Sequence, residues 1–111
     1  MIDTVKRIRG VNLGSWLLME GYILGGRNIP ESAFKDAFRK AHGKIELEKF
    51  ERIFRNNFVR ENDFKNIKAM GANTVRLPFN YRLLESGPFA YSSEGFSYLE
   101  KAFSWARKNG I

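Results

Sequence analysis

Apolar residues along this chain recur with two different periods. From Phe34 to Ala41 they fall at i, i+3, i+4 and i+7 (Phe34, Ala37, Phe38, Ala41), the spacing of one helix face, and Pro30-Glu31-Ser32 supplies a start. Leu47, Phe50, Ile53 and Phe54 mark the face of a second helix, with Glu46, Glu48, Glu51 and Arg52 away from it. A third helix is predicted over 61–70. Glu61 and Asp63 complement the helix dipole in its first turn, Phe64, Ile67 and Met70 form its buried face, and Gly71 ends it. The fourth shows Phe96, Leu99, Phe103 and Ala106, is capped by Ser92 or Ser93, and stops at Asn109-Gly110. Helical spacing already accounts for these aromatic stripes as core, with no need of a ligand platform.

Alternation of period two marks the strands. One short strand is predicted within 6–14, ending before Gly14, and another over Asn73–Leu77, where Pro78 terminates it. Residues 15–24 are the densest apolar stretch; bounded by Gly14 and Gly25-Gly26, they read as a compact loop or a short helix. Residues 80–95 are polar and turn-rich around Ser86-Gly87-Pro88 and read as a long loop. Lys68-Ala69-Met70-Gly71-Ala72-Asn73 and Arg107-Lys108-Asn109-Gly110-Ile111 have one form: a helix, a glycine, then the start of a strand. Strand and helix alternating through short links predict an α/β fold with a parallel sheet. Two strands and the start of a third leave both sheet edges open, so residues 1–111 are expected to be the front part of a larger fold, with no complete independent domain. Self-association through the open edges is expected of such a piece.

Composition narrows the partners. The 111 residues are 43% hydrophobic and 14% aromatic, too apolar for a disordered tail and enough for one modest core. The net charge of +7 comes from 19 basic and 12 acidic residues, interspersed without a run of five like charges, which reads as a solvated surface and not as a nucleic-acid stripe. There is no cysteine, which excludes disulfides and thiolate metal sites. The single histidine, His42, stands at the polar end of a helix, and no metal or other cofactor is expected. Met1 to Lys6 lack the apolar core of a signal peptide and no apolar run approaches a membrane span, so the chain as given reads as soluble and cytoplasmic, without a membrane partner.

The chemistry-bearing candidates are few. Alternation puts Val75 and Leu77 under the helices and Thr74 and Arg76 on the opposite face. A guanidinium always carries its charge and is costly to bury unpaired, so an arginine at the C-terminal end of a parallel strand serves either a site or a packed ion pair. Glu20 is a lone acid in an aromatic stretch after the first strand, on the same side as Arg76; it suits sugar hydroxyls, or an ion pair with Arg27 or another arginine. Tyr22 and Trp16 offer flat apolar faces with polar tips, the chemistry that pyranose stacking uses.

Three segments in series then resemble one family. Arg9-Gly10-Val11-Asn12-Leu13-Gly14-Ser15-Trp16-Leu17, Glu20-Gly21-Tyr22-Ile23 and Gly71-Ala72-Asn73-Thr74-Val75-Arg76-Leu77-Pro78-Phe79 resemble the start of glycoside hydrolase family 5, most of all its exo-β-1,3-glucanase-like branch. Phe58 to Phe64 and Leu99 to Ala106 are similar to the same family. The resemblance implies the N-terminal portion of a (β/α)₈ TIM barrel, about the first two βα units and the start of the third strand. It also implies a retaining hydrolase of β-glucans or glucosides, acting in polysaccharide degradation, whose two glutamates lie about 5 Å apart. The family places those glutamates on the fourth and seventh strands, so both are expected to be absent here and the chain inactive alone. By resemblance, Arg76 is the supporting arginine that favours the ionised nucleophile, Glu20 is a substrate-binding acid, and Tyr22 is the aromatic beside it. Family members are often secreted. Ser15 stands where the family often has Gly or Asn, and Gly21 where it often has Pro. The alternatives are a carbohydrate-binding piece without catalysis and a basic nucleic-acid binder.

Overall fold

The computed structural model describes residues 7–111; Lys6 and the reading of the amino-terminal residues fall outside it. Strand β1 (Gly10–Asn12) is followed by three helices, α1 (Glu31–His42), α2 (Lys44–Asn57) and α3 (Glu61–Ala69), and by strand β2 (Thr74–Arg76). A 3₁₀ turn (Tyr81–Leu83), the short strands β3 (Glu85–Gly87) and β4 (Ala90–Tyr91), and helix α4 (Ser93–Lys108) complete the order. The fold is α/β, and its main strand pair is parallel: β1 and β2 pair with Gly10 opposite Thr74, Val11 opposite Val75 and Asn12 opposite Arg76.

Asn73 sets that register. Its side-chain oxygen accepts the Arg9 N–H and its amide donates to the Arg7 carbonyl, both at 2.9 Å, while its own backbone N–H donates to the Arg9 carbonyl at 2.9 Å. Beyond the strands the two segments stay together through the Leu17–Phe79 bridge and the Asn80 N–H donating to the Leu17 carbonyl (3.0 Å).

The core lies under this pair. Trp16, 1% exposed, stacks on Trp105 with ring centroids 6.3 Å apart, and Phe64 meets Trp105 at 5.8 Å. Val75 and Leu77 pack against the same cluster, as their alternation predicts. Burying each large apolar side chain of this kind stabilises by about 1.5–3 kcal/mol.

The structure revises several faces read from periodicity. Met70, 70% exposed, caps the end of α3 and does not extend its buried face. Ile53 on α2 is exposed, while Leu47 is buried and Phe50 and Phe54 are half-buried. On α4, Leu99 and Ala106 face the core as expected, but Phe96 and Phe103 are exposed. The buried positions are Gly95, Tyr98 and Ala102, with Trp105 packed beside the latter two. Two overlapping stripes satisfy helical spacing on α4, and the one carrying Trp105 is turned inward by its contacts with Trp16 and Phe64.

The first strand is also shorter than expected, and residues 80–95 are not a plain loop. Asn80 accepts the Arg82 N–H through its side chain (3.0 Å) and caps the 3₁₀ turn, Leu83 is buried, and β3 and β4 form an antiparallel hairpin. Ser92 caps α4, its hydroxyl accepting the Gly95 N–H at 3.1 Å.

The two glycine stops do share one geometry. Gly71 (φ 91°) and Gly110 (φ 69°) both take the left-handed conformation that favours glycine. The residue after each donates five residues back: Ala72 to Ile67 (3.3 Å) and Ile111 to Ala106 (2.9 Å). Ile111 makes no strand pairing among the described residues. Two non-glycine residues are also left-handed, Ser15 (φ 68°) and Phe89 (φ 59°), a conformation that costs an L-residue about 1–2 kcal/mol.

Between β1 and α3, helices α1 and α2 form a hairpin held by phenylalanines, Phe34–Phe50 and Phe38–Phe50 lying 5.8 and 5.3 Å apart, and Phe54 stacks on Phe58 at the end of α2 at 4.9 Å. These rings are engaged with one another, with Phe58 also partly exposed.

Candidate functional site

The site is built on the chain that leaves the C-terminal end of β1. Ser15 is fully buried in its left-handed turn and donates its hydroxyl to the Glu20 carbonyl at 3.2 Å, which fixes the backbone that presents the Glu20 side chain. At Gly21 a Cβ would lie 1.9 Å from the Arg27 carbonyl oxygen, and the Gly26 N–H donates to the Gly21 carbonyl at 2.8 Å. Only glycine admits so close an approach, so the loop 21–27 closes on itself. Tyr22, 62% exposed at the start of this loop, donates its phenol to the Glu20 carboxylate. That hydrogen bond, and then the carboxylate charge, raise the Tyr22 pKa above its ordinary value.

Glu20 and Tyr22 line a cleft of about 580 Å³ together with Glu31, Asn80, Tyr81 and Arg82. Glu31, at the first turn of α1, is buried, and both its oxygens are committed. One accepts the Met19 N–H at 2.6 Å; the other accepts the Asn80 amide at 2.7 Å and pairs with Lys35 at 3.1 Å. Lys35 bridges onward to Glu51 on α2 at 3.3 Å. Periodicity assigned Glu31 only to the start of a helix; the Glu31–Lys35 spacing of four is the sole trace of this role in the sequence.

Arg76, the last residue of β2, is exposed and donates Nη1–H to the Asn12 side-chain oxygen at 2.9 Å. Of the two alternatives for Arg76, a solvated charge or a pair with Glu20, the structure shows the exposed one, and Glu20 forms no ion pair with Arg27 either. Among the described residues no carboxylate lies within ion-pair distance of Arg76. The reason is register: Asn12 stands directly opposite Arg76 on the neighbouring strand, while Glu20 is turned to Tyr22. Both groups nevertheless meet at Gly14, where a Cβ would be 3.2 Å from the Asn12 amide nitrogen and 3.2 Å from a Glu20 carboxylate oxygen. Arg76, Asn12, Glu20 and Tyr22 thus form one polar row at the C-terminal ends of both strands. Sequence reasoning singled out three of these four and missed Asn12.

Trp16 takes no part. It is buried, with its indole N–H donating to the Arg55 carbonyl at 2.8 Å at the end of α2. His42 is exposed at the end of α1 with its ring 5.0 Å from Phe38. Among the described residues no group of three His, Cys, Asp or Glu side chains is placed to hold a metal ion, and no helix is long and apolar enough to cross a membrane. The row offers hydroxyl-binding groups and one aromatic face. It offers no pair of free carboxylates, since Glu31, the other acid lining the cleft, is already saturated.

No protein-family model matches the chain. A glucan 1,3-beta-glucosidase of Blumeria graminis is 36% identical over 96% of this chain and 26% of its own length. One of Lachancea kluyveri is 34% identical over 97% of this chain and 27% of its own length. A beta-xylosidase of Phanerodontia chrysosporium is 34% identical over 94% of this chain and 22% of its own length. The chain therefore spans about a quarter of the length of the relatives it matches.

Proposed function

The chain is homologous to a quarter-length segment of the glucan 1,3-beta-glucosidases, and from that premise we propose that it forms the N-terminal portion of the (β/α)₈ barrel of a retaining β-glucan hydrolase. The observation that carries this reading is the row Arg76–Asn12–Glu20–Tyr22, which stands at the C-terminal ends of two parallel strands. That is the face on which βα barrels place their active sites.

In this reading residues 1–111 are one segment of the barrel and not an independent domain. Glu20 accepts hydroxyl groups of a glucosyl unit, and Tyr22 both orients the carboxylate and offers its ring to the sugar's C–H face. Arg76, held by Asn12, directs its charge toward the nucleophilic carboxylate and favours the ionised form of that group. Retention needs two carboxyl groups about 5 Å apart. The saturation of Glu31 supports assigning both of them to sequence outside these two βα units.

The test is an assay of the 111-residue chain on laminarin, cellulose and aryl β-glucosides. The expected result is no hydrolysis above background. Turnover that disappears in Glu20→Gln would place a catalytic carboxylate in this chain and overturn the reading.

A further inference from the structure

The 3₁₀ turn and the β3–β4 hairpin carry chemistry that the row beside Glu20 does not use. Tyr81 lines the Glu20 cleft and also a second cleft of about 600 Å³, formed with Arg82, Glu85, Ser86, Pro88 and Phe89. The two clefts therefore adjoin across Tyr81 and Arg82. Tyr81 is 64% exposed yet held in place: Arg82 donates to its hydroxyl at 3.1 Å and sets its guanidinium 5.7 Å from the ring centroid. Its backbone is fixed by Asn80, which is tied to Glu31 (2.7 Å) and to the Leu17 carbonyl (3.0 Å).

Phe89 stands at the far end. It is 89% exposed at the hairpin turn and has a φ of 59°. Glycine is the cheap residue at a left-handed turn position, and a bulky aromatic there is an outlier. Packing within residues 7–111 does not repay the strain, because the ring is almost wholly in solvent. Strain that stability leaves unexplained points to a function of the side chain.

We propose that Tyr22, Tyr81 and Phe89 form an aromatic track on which a β-glucan chain of several units lies, running from the Glu20 cleft over Tyr81 to the hairpin. This rests on the reading of Glu20 and Tyr22 as a sugar site. Exposed rings take the apolar faces of successive sugar units, and Arg82, Glu85 and Ser86 between them meet the hydroxyls. The β3–β4 hairpin thereby selects for chain length.

The experiment is an NMR titration of the 111-residue chain with laminaribiose and with laminaripentaose. The pentaose is expected to bind about three- to tenfold tighter than the biose. Phe89→Gly should remove that gain, leave the biose affinity unchanged, and keep or raise the thermal midpoint, since it relieves the turn. Tyr81→Ala, at an exposed position, is the second probe and should weaken the pentaose more than the biose. Equal affinity for the two sugars, or a gain that survives both variants, overturns the track while leaving the sugar site intact. If neither sugar binds, or if Glu20→Gln changes neither affinity, the underlying site falls, and the track with it.

Discussion

Ser15 shows how a single residue can pull two ways. Its left-handed backbone costs about 1–2 kcal/mol relative to a relaxed L-residue, while its buried hydroxyl returns about 1 kcal/mol through the bond to the Glu20 carbonyl. Ser15→Ala keeps the strain and loses the bond; Ser15→Gly loses the bond and sheds the strain, offset in part by the looser unfolded chain. Urea denaturation should therefore rank Ser15→Gly at or above Ser15→Ala in midpoint, and the reverse order would refute a strained turn. The same scale shows which site residues a sequence exposes. Arg76, Glu20 and Tyr22 are legible because each is out of keeping with its apolar surroundings. Asn12 and Glu31 are not, because their roles arise from partners 64 and 49 residues away, which only strand register and the return of the chain past β2 bring together.

At the scale of elements, the number and order of the helices were legible from spacing, and the parallel pair from the repeated glycine stop. The rotation of α4 was not, since two apolar stripes fit its period and the choice between them was made by Trp16, some ninety residues earlier. The 3₁₀ turn and hairpin escaped for another reason: β3 and β4 have three and two residues, too short to show an alternation. One contact between elements lends itself to a pH test. Arg52 on α2 donates to Glu94 in the first turn of α4 at 2.9 Å, and this bond holds the Glu94 carboxyl below its ordinary pKa. A depressed folded pKa gives stability that is present above the unfolded carboxylate's titration and is lost as pH falls through the folded value. Both side chains are half exposed, so solvent screens the pair and leaves only a weak coupling. A double-variant cycle of Arg52→Ala and Glu94→Ala should show that coupling at neutral pH and none below the carboxylate range. A coupling unchanged in acid would show that the pair is not the source.

For the molecule as a whole, the dominant fact is a main sheet of two parallel strands among the described residues. Two parallel strands leave their outer edges unpaired among the described residues, and α4 presents Phe96 and Phe103 to solvent. Sedimentation velocity on the isolated chain is expected to show concentration-dependent association; a single compact monomer at all concentrations would mean that the edges are closed in some other way. The α/β class was legible at this scale, because strands interspersed with amphipathic helices have few solutions. The connection between β1 and β2 also governs how the chain reaches its native state. Closing a loop of some sixty residues costs more conformational entropy than closing a short one. The α1–α2 hairpin needs only local contacts, and its phenylalanines can assemble before the strands meet. Once formed, it shortens the span that β1 and β2 must search. The strand pair is then expected to form last, so that in a stopped-flow chevron Asn73→Ala, at the residue that sets its register, should speed unfolding more than it slows folding.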